Sequence, residues 1–526
     1  MGRFASLSAV ATKPTSSSGG LLGWLTGGGS RLLPPLDFPL AGVILPPSLS
    51  DYTEPSKTKI TTLPNSVKIA SEASADPAAS IGLYVDCGPI YETTLSIGAT
   101  DLLQRMAFKR TRNRSHLRVV REVEAIGGNV EASSSREQMS YTYNALKTYV
   151  LEMVELLIDS VRNPIFLDWE VNEEVVLFNH RTLCLKFMHS FKYIRITKIT
   201  IYILQLHNMK AEISGTIKNP HNFLLDAIHS AGYSSALANP LSAPESAINR
   251  LNSIILEEFV AENYIAPQMI LVASGVEHDE LIFVTEPLLS DLPSVSRPDE
   301  PKSVYIGGDY RCQGKSGRTH FAVAFELPSG WHKEKEAIIL TMLEVLLRGG
   351  GSFSASGPGK GMYSRLYLHV LNEYPQFQSI SAFNSIYKNT GTFGIQATTV
   401  NHLFSPFGSD FVSQAIDIVV NELISVATPG EVDQVQLDHA KQLTKSAIVI
   451  NLESRILASE DIGRQFLIYG ERKPMDHFLK AVDEVTAKDI ASVAQKLLSS
   501  PLTMASYGDV INVPSYDSVS SKFQSK

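Results

Sequence analysis

The chain has 526 residues, of which 44% are hydrophobic and 19% charged, with 34 Gly and 27 Pro; this is a globular composition that excludes a disordered or fibrous protein. At roughly 100–200 residues per domain, the length also excludes a single small binding module. The 46 Lys and Arg face 54 Asp and Glu, a formal charge of -8, which disfavours nucleic acid and anionic lipid and suits basic partners.

Residues 1–50 read as an import signal with a Pro-rich lead. The first 36 residues carry Arg3, Lys13 and Arg31 among many Ser and Gly and contain no Asp or Glu, a bias shared by organelle import signals; a disordered tail is the plainer alternative. From Lys59 to Glu72 the pattern predicts strand, turn at Pro64-Asn65, strand, and Ile81 to Cys87 alternates like a third, half-buried strand. Helical periodicity follows from Gly98 to Lys109, from Leu117 to Ile126, and from Tyr149 to Val161, where Val150, Met153, Val154, Leu157 and Ile158 share one face. Helices are therefore expected on one side of a sheet.

The segment Leu251 to Tyr264 predicts an amphipathic helix, followed by Pro267, a strand from Met269 to Ala273 and Gly275. The C-terminus repeats this order: a helix from Thr486 to Leu498, Pro501, a strand from Leu502 to Tyr507 and Gly508. The beginnings match too, because Ser80 to Gly88 and Thr319 to Pro328 each lead into a helix, the second from about Glu334 to Leu347. The fold class is therefore α+β, with two similar domains, 51–291 and 302–526, joined by the Pro-containing linker 292–301 and able to enclose a cleft.

No apolar run reaches the roughly 18 residues of a transmembrane helix. Cys87, Cys184 and Cys312 lie far apart with no C-x-x-C, so local spacing builds neither a disulfide framework nor a cysteine zinc site, and a reducing compartment is expected. Neither H-E-x-x-H nor H-x-x-E-H nor G-x-S-x-G occurs. Glu277-His278-Asp279-Glu280 is rich in ligand types, but adjacent side chains on an extended chain point in different directions.

The densest local signal is the run from Arg348 to Gly361, with Gly349, Gly350, Gly351, Gly357, Gly359 and Gly361 around Lys360. Glycines at that density leave backbone N–H and C=O groups free to pair with an extended peptide or to cradle an anion. The phosphate-loop pattern fails, since Ser354 and Gly361 stand where Gly and Ser or Thr are required. A flexible surface linker is the alternative.

The stretch Gly98 to Lys109 resembles the H-F-L-E-H-M-A-F-K signature of the pitrilysin-type zinc peptidases, in which two histidines four apart hold Zn²⁺ and the glutamate between them activates water. Those three positions are here Asp101, Gln104 and Arg105. Arg cannot ligate zinc and Gln cannot serve as a general base, so no catalytic or metal site is expected in this chain. From about Pro47 to Lys526 the sequence is more closely similar to a branch of that family, the alpha-type subunits of plant mitochondrial processing peptidases, which double as core subunits of the cytochrome bc1 complex. The runs Gly349 to Asn372 and Asn451 to Gly463 carry the likeness most specifically.

The resemblance implies two pitrilysin-type domains in a noncatalytic subunit that binds basic presequence peptides, while a beta-type processing peptidase subunit supplies the zinc. It implies no cofactor in this chain, cytochrome bc1 subunits as further partners, and a place in the mitochondrial matrix or on the matrix face of the inner membrane. By position, Gly349, Gly350, Gly351, Gly357, Gly359, Lys360 and Gly361 inherit substrate recognition, with Arg348 and Ser356 standing where the family pattern has glycine. A core subunit of the bc1 complex with no peptide-binding role is the alternative.

The same resemblance marks Val175 to Gln205 as an atypical insertion. It holds five Lys and Arg and no acid, and the family's third ligand, matched here by Glu212, comes about 31 residues later than the family spacing. Val codons begin GT and one Gln codon is CAG, so an in-frame retained intron, interrupting a helix from Asp168 to Ile213, is one expectation; a genuine basic strand or helix for lipid or partner contact is the other.

Overall fold

A computed structural model of the chain describes residues 57–171, 220–248, 250–295, 300–314, 317–351, 362–400 and 411–524. The import signal, Val175 to Gln205, Glu212, Cys184 and the glycine-run positions Gly357, Gly359, Lys360 and Gly361 lie outside the described residues.

Two six-stranded sheets organise the rest, joined by a small pair. The strands run β1 Lys59–Thr62, β2 Lys68–Glu72, β3 Ala78–Val85, β4 Asn129–Ser134, β5 Met139–Leu146, β6 Tyr233–Ser234 and β7 Met269–Ser274. Then come β8 Val304–Tyr305, β9 Gly308–Gln313, β10 Arg318–Leu327, β11 Gly349–Gly351, β12 Phe377–Ile386, β13 Gly391–Val400 and β14 Thr503–Gly508. The first sheet has the order β1-β2-β7-β3-β5-β4, the second β11-β12-β13-β10-β14-β9, and β6 pairs with β8. Read from β2 in one and β9 in the other, the orders coincide. Each has one parallel pair, β2 with β7 and β9 with β14, and antiparallel neighbours beyond it. The repeat read from the chain's two beginnings and two endings is thus a repeat of topology.

Period-two alternation makes both central strands two-sided. In β3, Ile81, Leu83 and Val85 enter the core beneath the helix Val150–Arg162, with Met153, Val154 and Leu157 facing them. In β10, Phe321, Val323, Phe325 and Leu327 enter a second core with the helices Glu334–Leu347 and Phe411–Ala427. Most predicted helices appear within a residue or two of their expected ends, although the one expected to reach Lys109 ends at Met106; Ala487–Leu498, for instance, starts at a capping box between Thr486 and Asp489.

The opposite faces are covered across the halves. The helix Arg455–Tyr469, from the second half, seats Ile462 and Phe466 on Ala70, Tyr84, Ile270 and Val272 of the first sheet. Reciprocally, Leu224, Ala227 and Ile228 of the helix Pro220–Gly232 cover Ala322, Ala324 and Ala505 of the second. The linker at 292–301 therefore separates the sheets in sequence but not in packing, because each half completes the other's hydrophobic enclosure.

No described helix is long and apolar enough to cross a membrane.

Candidate functional site

The helix Ala99–Met106 follows Gly98, whose φ of +88° favours glycine. Glu92 secures its first turn: Oε2 accepts the Gly98 N–H at 2.8 Å, and Oε1 accepts the Thr100 N–H at 2.8 Å and the Thr100 hydroxyl at 2.6 Å. A carboxylate is favoured at this end of a helix by the free N–H groups and the dipole. Burial nevertheless dominates and pushes the Glu92 carboxyl up to about 7, against those hydrogen bonds.

Asp101, Gln104 and Arg105 come together on this helix as a closed polar set. Arg105 Nε donates to Asp101 Oδ1 at 3.0 Å, one turn away, and the other Asp101 oxygen accepts the Ala243 N–H at 3.0 Å. Gln104 Oε1 accepts the Ser134 N–H at the end of β4, 3.2 Å away. Both Asp101 oxygens thus have donors, and the guanidinium occupies the face where a second ligand would be needed. This donor set does not fit zinc. Among the described residues no three His, Cys, Asp or Glu side chains gather as a metal set. His278, from the ligand-rich tetrapeptide, is instead a hydrogen-bonded core histidine, its ring nitrogens 2.9 Å from the hydroxyls of Thr61 and Ser71. Cys87 and Cys312 are free thiols.

The glycine run opens as a strand. Gly349, Gly350 and Gly351 form β11 at the edge of the second sheet, opposite Ser381, Ile380 and Ser379 of β12. Gly349 has φ +89° and donates its N–H to Ser364 Oγ at 3.1 Å, and a Cβ there would lie 2.2 Å from the Ile380 carbonyl oxygen. Glycine is thus required for the pairing itself, not only for mobility. Arg348, immediately before it, has φ +29°, a strained conformation for a residue with a side chain. At Gly350 a Cβ meets nothing within 4 Å. Beyond the run, the Tyr363 ring lies 5.5 Å from that of His439 on the helix Gln434–Glu453.

Sequence reasoning missed Glu92, Ser134 and Ser364, which act through backbone contacts that no motif encodes. The Asp101–Arg105 pair carried a readable signal, the i,i+4 spacing of opposite charges on a helix.

A second half-buried carboxyl, Glu137, accepts the Lys388 N–H and is likewise raised to about 7, chiefly by burial. Between pH 4.5 and about 7 the native chain therefore holds protons at Glu92 and Glu137 that the unfolded chain releases. Their contribution to stability is greatest below pH 4.5 and is lost as pH rises through 7. Denaturant titrations across this window should show stability falling with pH at these sites, and Glu137→Gln should reduce the slope by about one proton; an unchanged slope would contradict the assignment.

Residues 68–193 match the family model described as insulinase (peptidase family M16), and residues 252–444 that of the peptidase M16 inactive domain. The chain is 63% identical, over 100% of its length and 96% of the relative's, to the mitochondrial-processing peptidase subunit alpha of Solanum tuberosum. The human protein of that name is 28% identical over 94% of this chain and 90% of its own. Human cytochrome b-c1 complex subunit 2 is 28% identical over 88% of this chain and 92% of its own.

Proposed function

The chain belongs to peptidase family M16, and from that premise we propose that it is the noncatalytic alpha-type subunit of a mitochondrial processing peptidase, binding basic presequences for cleavage by a zinc-bearing beta-type partner. The observation that carries this reading is the helix Ala99–Met106, where an ion pair and a backbone hydrogen bond stand in place of the family's metal ligands and general base. Full-length similarity to alpha subunits from plant and human supports it, as does the formal charge of -8, which suits basic peptides. The mitochondrial matrix is the compartment this role requires.

The three-glycine edge strand favours peptide handling over a purely structural role in the bc1 complex. An edge strand offers N–H and C=O groups to a further extended chain, and glycines remove the side chains that would hold that chain away. Substrate recognition is accordingly assigned to Gly349, Gly350 and Gly351 with Gly357, Gly359, Lys360 and Gly361.

Gly350→Ala separates function from folding, because a Cβ there meets nothing within 4 Å among the described residues. The substitution is expected to weaken presequence binding by about tenfold, equivalent to about 1.4 kcal/mol, with association with the beta-type partner unchanged. Fluorescence anisotropy of a labelled presequence measures it. Unaltered affinity would remove the glycine strand from recognition and favour the scaffold role.

A further inference from the structure

The outer edge of β11 is closed at one end. The Arg348 carbonyl accepts the Ala382 N–H at 2.8 Å and so turns toward β12; by the alternation of an antiparallel ladder, the N–H of Gly349 then turns outward. Ser364 Oγ takes that N–H at 3.1 Å. Leu366 stands close by, since a Cβ at Gly349 would come within 3.3 Å of the Leu366 Cβ. The segment 364–366 therefore occupies the place where a chain pairing along β11 would otherwise continue past Gly349. At Gly350, by contrast, a Cβ meets nothing within 4 Å.

Arg365 holds that segment in place. It is buried, and its guanidinium donates to Glu422 Oε2 at 3.3 Å, Ser425 Oγ at 2.9 Å, the Glu431 carbonyl at 2.9 Å and Gln436 Oε1 at 3.2 Å. These acceptors come from the helix Phe411–Ala427, the helix Gln434–Glu453 and the turn between them. A planar fork held by four bonds has little freedom to shift. Glu422 also lies 3.2 Å from His369 Nδ1, within a single π-helical turn, Tyr367–Leu371, a rare geometry that recurs at functional sites.

We propose that Ser364, seated by Arg365, is a positioning residue of the peptide-binding edge: it ends the strand that β11 offers and fixes the register in which an extended peptide pairs there. The inference rests on the reading that β11 receives the presequence. A strand of three glycines has no side chains with which to specify register and is prone to slippage. A fixed hydroxyl at its first outward N–H supplies the missing reference point. An edge set in one register beforehand has less ordering to do when peptide arrives, so the clasp acts on affinity and leaves the bond-breaking step on the beta-type partner untouched.

Presequence cleavage by the full chain assembled with a beta-type partner is the test. Ser364→Ala should raise KM by about fivefold, as expected for one lost hydrogen bond, with kcat and association with the partner unchanged. Ser364→Thr restores the hydroxyl and should return KM to the wild-type value. A lower unfolding midpoint with an unchanged KM would leave Ser364 a structural residue only and overturn the inference, as would a raised KM that Ser364→Thr does not rescue. Gly350→Ala, measured alongside, keeps the two readings apart. If it weakens presequence binding while Ser364→Ala keeps the wild-type KM, the positioning role alone falls; if both variants behave as wild type, the assignment of β11 to peptide binding falls with it.

Discussion

Lys388→Met is expected to destabilise the protein by about 3–5 kcal/mol, the cost of leaving a buried charge without its partner. Lys388 sits in the turn between β12 and β13, and that turn inserts into the first half. Its ammonium meets Asp86 at 2.5 Å, with the two side chains only 7% and 3% exposed. Alongside it, the Tyr387 hydroxyl lies 2.7 Å from His229 Nε2, and the Thr390 hydroxyl 3.2 Å from that of Tyr233. Removing the ammonium leaves the Asp86 carboxylate buried without that cation and takes away the nearest positive charge from Glu137. The double variant Asp86→Asn/Lys388→Met removes both charges and should recover much of the loss, since a missing pair costs less than a broken one. Equilibrium urea unfolding of the two single variants and the double gives the coupling. A loss below about 1 kcal/mol in Lys388→Met would place the pair in a solvated setting and contradict its burial.

Gly463→Leu should cost about 1–3 kcal/mol by overpacking. A Cβ at 463 lies 2.6 Å from Cδ2 and 2.7 Å from Cγ of Tyr84. That ring cannot retreat. It is fully buried, a Cβ at Gly82 would lie 2.5 Å from its Cε2, and its hydroxyl is 3.1 Å from Ser459 Oγ. Ser80 Oγ stands at the same distance from Ser459, which itself donates to the Ile456 carbonyl. Ser459 and Gly463 are one turn apart, so a side chain at 463 must lift the helix Arg455–Tyr469 off the first sheet. Faster proteolysis within that helix and a lower urea midpoint are the expected results; wild-type protease resistance would show that the helix can reseat.

The same pair shows what the sequence could and could not convey. Asn451 to Gly463 is one of the two runs that carry the family likeness, yet the partners of its Ser459, Ser80 and Tyr84, lie more than 370 positions earlier. Periodicity reports that a helix has a face to bury, not which sheet receives it. Strands β1, β2, β3, β7 and β14 were legible because alternation and flanking Pro and Gly are local signals, and the helices because their apolar residues repeat every turn. Lys388, in a polar turn of Tyr, Lys, Asn and Thr, reads as exposed and is buried only because Asp86 and Glu137 arrive from the other half. At the candidate site, the sequence alone shows Asp101, Gln104 and Arg105 at the motif positions, but not the Ala243 and Ser134 N–H groups that Asp101 and Gln104 accept. The strand formed by Gly349 to Gly351 was likewise not readable, because it depends on the backbone of β12.

Reconstitution tests the central claim most directly. The purified chain, a beta-type partner and their mixture are assayed for presequence cleavage, with zinc measured in each. The chain alone should cleave nothing and hold no stoichiometric zinc, and the mixture should cleave faster than the partner alone. One tightly held Zn²⁺ on this chain, with cleavage by the chain alone that chelation abolishes, would contradict the account.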